Sequence, residues 1–99
     1  MQYVEIKNGQ AFIAVKGEAR ITVSSAIRDE MEEAVEKGCR KFVFDFADTT
    51  FMDSVGVANL PLALKLVGGL KENVIIRNPK GDVLRLLQST RMLEEVTVE

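Results

Sequence analysis

An acid and a hydroxyl stand side by side in the segment FMDSVGVANL, residues 51–60, where a strand-like run gives way to a helix-like one. Asp53 and Ser54 are of the types that cap helices, because their side-chain oxygens accept a hydrogen bond from a free backbone N–H. The other interpretation of Ser54 is a residue that carries the protein's function. Residue spacing alone favours the cap.

Three acids around this junction suggest a second hypothesis, the Mg²⁺ site of an enzyme. Asp45, Asp48 and Asp53 would offer the oxygen ligands that Mg²⁺ prefers if they met at one sheet edge. Asp45 and Asp48 are three positions apart, however, so in a strand they point to opposite faces, unlike the acids of an Asp-x-Asp-x-Thr phosphatase pattern. The chain also has no histidine and no glycine-rich phosphate loop. We therefore expect no catalytic residue, no metal site, no cofactor and no enzymatic activity.

Composition restricts the partners and the location. The 99 residues are 46% hydrophobic and 28% charged, which is typical of one small globular domain over residues 1–99. A net charge of −2 without a basic cluster argues against direct binding of nucleic acid. Lys65 interrupts the longest apolar segment, so we expect no membrane insertion. A single cysteine, Cys39, and a start that lacks a signal-peptide core indicate a cytoplasmic protein.

The first residues predict a β-hairpin. Residues 3–7 alternate with period two, as half-buried strands do, and residues 11–15 do so at lower contrast. Asn8-Gly9 lies between them and suits the positive φ angles of a tight hairpin turn. Residues 21–23 predict a further short extended piece.

A change of period after this point predicts a helix. From Ser24 the apolar residues recur at helical spacing and acidic residues fill the other face. Ser24 or Ser25 can cap the start, and Gly38 marks the end. The helix is expected to lie on the surface with its acidic face in solvent.

The second half of the chain predicts alternating strands and helices. Residues 41–46, KFVFDF, indicate a strand buried on both faces, as in a sheet covered by helices. The later elements are a loop over 47–54, a helix over 54–67, a parallel strand over 73–76, a helix with Pro79 at its first position, and a short strand within 95–98. We predict an α/β fold with a mixed sheet of four to five strands, packed against about three to four helices.

The helix predicted over residues 54–67 is unusually apolar. After Ser54 only Asn59 and Lys65 carry polar side chains, whereas a helix on one sheet needs an apolar stripe of only about 100°. The surplus is either buried by neighbouring helices or exposed for a partner, and the sequence leaves both open. Pro61 removes a backbone hydrogen bond and predicts a kink or a separate first turn.

The segment FDFADTTFMDSVGVANL resembles the signature of the STAS domain, in the branch of bacterial anti-sigma factor antagonists. That signature is a hydrophobic strand ending in Asp, a short loop, and an aromatic or apolar pair before Asp-Ser-x-Gly-hydrophobic. The residues that fit are Asp45, Phe51, Met52, Asp53, Ser54, Gly56 and Val57. A weaker likeness extends over nearly the whole chain.

The resemblance implies an antagonist that binds an anti-sigma factor, itself a serine kinase, and so frees a sigma factor. The kinase then phosphorylates the serine that matches Ser54, the complex separates, and a phosphatase resets the protein. Gly56 would let a partner approach the backbone closely. The residues expected at the partner surface are Thr50, Met52, Asp53, Ser54, Val55, Gly56 and Val57.

Two alternatives within the same resemblance stay open. In the first, the domain is a non-switching STAS scaffold, or a subunit of a transporter or stress-signalling complex, and Ser54 is only a cap. In the second, the phosphorylated residue is Thr49 or Thr50. The chain also departs from the family pattern, because Arg20 stands where members often carry an acid and Pro61 where the helix usually runs uninterrupted.

Overall fold

A computed structural model describes residues 2–99 as alternating strands and helices. The strands are β1 (Val4–Lys7), β2 (Gln10–Ala14), β3 (Gly17–Ala19), β4 (Lys41–Asp45), β5 (Thr49–Met52), β6 (Val74–Arg77) and β7 (Thr97–Val98). The α-helices are α1 (Ile21–Glu36), α2 (Ser54–Leu66) and α3 (Gly81–Ser89), with short 3-10 turns at Lys71–Asn73 and Met92–Glu94. The predicted α/β fold is confirmed.

The main sheet has five strands in the order β1-β2-β4-β6-β7. Strands β1 and β2 form the predicted antiparallel hairpin, and both of its turn residues, Asn8 and Gly9, have positive φ as a type I′ turn requires. All the other neighbours in this sheet are parallel. The predicted strand–helix–strand unit is thus present as β4–α2–β6.

Strand β4 is buried on both faces, as its sequence predicts. The side chains of Phe42, Val43 and Phe44 alternate in direction and are all nearly inaccessible to solvent. On one side of the core, α1 packs against α2. Cys39 is buried in the core as a small apolar side chain.

The prediction of a loop over residues 47–54 is largely wrong. Thr49–Met52 forms β5, which pairs in parallel with β3 in a separate two-stranded sheet. The residues of β5 are β-branched or apolar, and the two end residues are buried, so they suit a strand. The partner strand lies about 30 residues earlier in the chain, and a local pattern does not reveal such a pairing.

The start of α1 also differs from the prediction. Residues 21–23 are not extended but form the first turn of the helix, after Arg20 in an extended conformation. Ser24 therefore lies inside the helix rather than at its cap. It is fully buried, and its hydroxyl lies 3.4 Å from the Ala19 carbonyl oxygen, to which it donates a hydrogen bond.

Helix α2 runs unbroken from Ser54 to Leu66, so the separate first turn predicted at Pro61 is not formed. Part of its apolar surplus is buried against α1 and the sheet and part is half-buried, and none of its large apolar side chains is highly exposed. The outer face consists of Ser54, Ala58, Pro61 and Lys65. The apolar surplus that the sequence predicts is therefore divided between the core and half-buried positions.

The last elements follow the predicted order with shifted boundaries. Helix α3 begins at Gly81 after Lys80, so Pro79 precedes the helix instead of starting it. Val83 and Leu87 face the core as expected, and Leu86 is half-buried. The predicted final strand is present as β7 at the edge of the main sheet.

Candidate functional site

The site forms where two strands of the small sheet end and two helices begin side by side. The parallel register of β3 and β5 pairs Ala19 with Met52, and the Asp53 N–H continues the ladder by donating to the Ala19 carbonyl at 3.3 Å. Arg20 and Asp53 are therefore neighbours. Each has extended backbone angles and each is the residue from which a helix starts.

The cap of α2 is Asp53. Its Oδ1 accepts a hydrogen bond of 3.0 Å from the Gly56 N–H, which is one of the N–H groups that have no partner inside a helix. Ser54 is exposed, and no other group within residues 2–99 is hydrogen-bonded to its hydroxyl. The capping role is thus filled without Ser54, whose hydroxyl stays accessible.

Gly56 is required by internal packing. It is the only one of the seven glycines whose φ is not positive, so its backbone does not demand glycine. A β-carbon at this position would lie 2.4 Å from Cγ of Met52 and 3.1 Å from the hydroxyl oxygen of Ser24. The glycine lets α2 approach β5 and α1, which differs from the predicted role in the approach of a partner.

Arg20 lies at the edge of the site, although the sequence pattern does not place it there. Its guanidinium donates hydrogen bonds to both oxygens of Glu18, at 3.1 and 3.2 Å, and lies 4.4 Å from the ring centroid of Phe51. The hydrogen bond from Arg20 and its charge lower the pKa of Glu18. The pKa of Arg20 is raised, chiefly by the hydrogen bond and charge of Glu18 and further by the Asp53 carboxylate. The sequence marks Arg20 only as a departure from the family pattern, and the β3–β5 pairing is what places it beside Asp53.

Ile21 is a second surface residue that the sequence pattern does not assign to the site. It is the first residue of α1, next to Arg20, and is 60% exposed. A large apolar side chain in such a position stands out, because most others in the chain are buried. Ile21 thus adds an exposed apolar side chain next to Arg20.

The predicted partner-surface residues divide by burial. Thr50 and Ser54 are exposed, and Asp53 and Val55 are half-buried, so these four can contact another protein directly. The other three are buried and belong to the packing beneath them: Met52, Gly56 and Val57.

Thr49 is not available for modification in this structure. It is buried, and its hydroxyl donates a hydrogen bond of 2.8 Å to the Val15 carbonyl. Of the two threonines considered from the sequence, only Thr50 is accessible.

The acids near the junction have separate roles. Asp45 accepts hydrogen bonds from the Ala47 N–H at 3.0 Å and the Asn78 amide at 3.1 Å, which hold its pKa below the usual value. Asp53 caps α2. Within residues 2–99, no group of three or more potential ligands among His, Cys, Asp and Glu is arranged to hold a metal ion. Over the same residues, no helix has both the length and the apolar character needed to cross a bilayer.

Binding and catalytic residues are found disproportionately on the segments that connect strands and helices. A family model described as the STAS domain matches residues 3–99. The chain belongs to the STAS domain family.

Solved structures with the same fold agree with this assignment. The anti-sigma factor antagonist SpoIIAA in its unphosphorylated form is 18% identical, with a TM-score of 0.77 over 97% of this chain and 84% of that chain. TM1081 of Thermotoga maritima is 18% identical, with a TM-score of 0.82 over 96% and 82% of the two chains. An anti-sigma factor antagonist from Mycobacterium paratuberculosis is 23% identical, with a TM-score of 0.74 over 96% and 80%. These values show likeness of fold. A search of curated proteins finds no match.

Proposed function

We propose that this STAS domain is an anti-sigma factor antagonist. In this proposal it binds an anti-sigma factor that is also a serine kinase, thereby frees a sigma factor, and is switched off by phosphorylation of Ser54. A phosphatase restores the active form. The protein has no catalytic role of its own, binds no nucleic acid directly and acts in the cytoplasm.

One observation carries the proposal: Ser54 stands exposed at the start of α2 while Asp53 caps that helix. If Ser54 capped the helix, its hydroxyl would be hydrogen-bonded to a backbone N–H, and modifying that hydroxyl would disturb the fold. Here the hydroxyl can react and the cap stays in place. The resemblance in fold to SpoIIAA supports the same role, since that protein has been solved in unphosphorylated and phosphorylated forms.

The proposed modification is a phosphoryl transfer. The Ser54 hydroxyl oxygen attacks the γ-phosphorus of ATP in the kinase, a new O–P bond forms, the bond from the γ-phosphorus to ADP breaks, and the hydroxyl proton is released. The phosphatase cleaves the serine O–P bond with water and returns the hydroxyl and inorganic phosphate. The antagonist supplies the hydroxyl group, and the kinase and the phosphatase supply the chemistry.

The folded domain should tolerate the phosphate. The backbone N–H groups of Ser54 and Val55 have no acceptor within the helix, and the dipole of α2 favours negative charge at this end. In a packed interface the same phosphate beside Asp53 would have to be desolvated, which is costly for an unpaired charge. A thousandfold loss of affinity needs only about 4 kcal/mol. The phosphate would therefore release the partner without unfolding the domain.

The test uses the full chain with cognate anti-sigma kinases and ATP, followed by intact-mass measurement and a binding assay. We expect one added phosphoryl group and loss of binding, and we expect Ser54→Ala to stay unmodified and bound. Thr50→Ala is the matched control, since it removes the exposed threonine hydroxyl of the alternative site, and the chain should still take up one phosphoryl group. A Ser54→Ala chain that still takes up phosphate and dissociates would place the switch elsewhere.

The alternative is a STAS scaffold that docks permanently on a partner. It predicts a Ser54 that no cognate kinase modifies, together with binding that ATP does not change. That pair of results would refute the switch and leave a docking module.

A further inference from the structure

Arg20 is held over the outer face of the small sheet by two contacts, a hydrogen-bonded pair with Glu18 and a cation–π contact with Phe51. Glu18 and Phe51 are opposite each other in the register of β3 and β5. The guanidinium is thus kept near the site instead of extending freely into solvent. The pair stays exposed, with 60% of the Arg20 side chain and 56% of the Glu18 side chain accessible.

Ser54 lies within reach of this guanidinium. The hydrogen bond from Asp53 N–H to the Ala19 carbonyl makes Arg20 and Asp53 adjacent across the strand pair, and Ser54 is the next residue. With neighbouring strands and consecutive residues at their usual spacings, the α-carbons of Arg20 and Ser54 are within about 9 Å. An arginine and a phosphoserine side chain together span that distance.

We propose that Arg20 is the intramolecular counter-ion of a phosphate on Ser54, and that its guanidinium leaves Glu18 to pair with that phosphate when Ser54 is modified. This inference rests on the proposed function, because it concerns the same serine. It assigns Arg20 to the regulation of the site.

The exchange is favoured by the relative strengths of the two acceptors. A phosphate carries about −1.5 to −2 charge and three acceptor oxygens, against a single negative charge on Glu18. Arginine also binds phosphate through two parallel N–H···O contacts. An exposed ion pair such as Arg20–Glu18 is weak in water and can be given up readily.

The exchange also changes what a partner would meet. In the unmodified protein Arg20 neutralises Glu18, so the surface beside Ser54 presents a paired cation and anion. After modification Glu18 is left unpaired while the phosphate is partly neutralised. The phosphorylated protein therefore carries its new charge in two places, Glu18 and the phosphate.

The experiment titrates a phosphate that is installed at Ser54 as phosphoserine during synthesis of the full chain, so that no kinase is needed. Phosphorus NMR reports the second pKa of that phosphate, which is near 6 in the absence of partners. We expect it to be lower by about 0.5 unit with Arg20 present than in Arg20→Gln, because a cation favours the dianion. Arg20→Lys should give an intermediate value, since lysine cannot form the bidentate contact.

Arg28→Gln is the matched control. Arg28 is an exposed arginine paired with Asp29 on the same helix, about 12 Å further along its axis. The Arg28→Gln variant removes one positive charge, as Arg20→Gln does, and the phosphate pKa should stay unchanged. A second readout is the Nε–H resonance of Arg20, which should respond to Glu18→Gln in the unmodified chain and not in the phosphorylated one.

Equal phosphate pKa values in the wild-type and Arg20→Gln chains would overturn the exchange. That result would leave the proposed function intact, because the kinase assay reports it separately. If Ser54 is not phosphorylated in the kinase assay, the proposed function is overturned. The exchange then has no regulatory role, whatever the titration shows.

Discussion

The side-chain amide of Asn59 donates a hydrogen bond of 3.0 Å to the backbone carbonyl of Ser24. Both residues are buried, so this bond joins α2 to α1 inside the core, close to the two helix starts that carry the site. The amide is the only buried polar side chain of α2 within the described chain, and it explains why a polar residue interrupts this apolar helix.

Replacing Asn59 by leucine should therefore destabilise the fold. The variant removes the hydrogen bond and leaves a buried carbonyl with one partner fewer, at a cost of about 1–3 kcal/mol in the free energy of unfolding. Urea denaturation measures the change. Gln88→Leu is the control, since Gln88 is an exposed amide on α3 and should shift stability by less than about 0.5 kcal/mol. Equal effects of the two substitutions would contradict the role of the buried bond.

Measurements of stability, without any partner, can test whether Asp53 and not Ser54 caps α2. Asp53→Ala removes the cap on the Gly56 N–H and should lower the free energy of unfolding by about 1 kcal/mol. Ser54→Ala removes no hydrogen bond within the described residues and should change it by less than about 0.5 kcal/mol. Thermal unfolding of the two variants beside the wild type distinguishes them. A larger loss for Ser54→Ala would show that Ser54 is the cap after all.

Gly56→Ala should be destabilising because of its neighbours rather than its backbone. The added methyl group would collide with Met52, and relieving such overpacking typically costs about 1–3 kcal/mol. Combined with Met52→Ala in a double-mutant cycle, it should cost less than the sum of the two single losses, because the smaller side chain leaves room for the methyl group. Additive losses would show that the two side chains do not compete for the same space.

Asp45 predicts a pH dependence of stability with a defined sign. Its hydrogen bonds to the Ala47 N–H and the Asn78 amide lower its folded-state pKa, so the ionised form stabilises the fold at pH values above the unfolded pKa of about 3.9. That contribution is lost as the pH falls through the folded-state pKa. Asp45→Asn should thus lower the urea midpoint near neutral pH and approach the wild type in acid. Asp48→Asn is the control, and a gap between wild type and Asp45→Asn that persists unchanged into acid would contradict this origin.

Glu30 ties the start of the chain to α1. One of its carboxylate oxygens accepts hydrogen bonds from the backbone N–H groups of Gln2, Tyr3 and Val4, at 2.7, 2.8 and 3.1 Å. Glu30→Ala should raise amide hydrogen exchange at residues 3 and 4 by about tenfold, because a local contact worth about 1.4 kcal/mol is lost. Glu33→Ala, which removes an exposed acid on the same helix, should leave those amides unchanged. Uniformly faster exchange over the whole chain would instead indicate global destabilisation.

The elements that local patterns specify are the ones that sequence predicts well. The hairpin at Asn8-Gly9 and the buried strand β4 follow from turn chemistry and from an uninterrupted run of β-prone residues. The extent of α2 follows from its apolar length and from Gly68-Gly69 beyond its end. In each case the determining residues lie within a few positions of one another.

The error at β5 has the opposite property. Strand β5 depends on its pairing with β3, a contact between segments far apart in the chain. The position of Arg20 beside Asp53 depends on the same contact. Neither can be inferred from spacing along the chain.

By itself, the sequence determined the α/β class and the family signature around Asp53 and Ser54, because these reside in residue types and short-range order. Only the tertiary structure decided which of the two residues caps α2, which of the signature side chains reach solvent and which cation stands beside the serine. Those outcomes depend on where two strands distant in sequence meet, and hydrogen bonding and steric fit settle that only when the chain has folded.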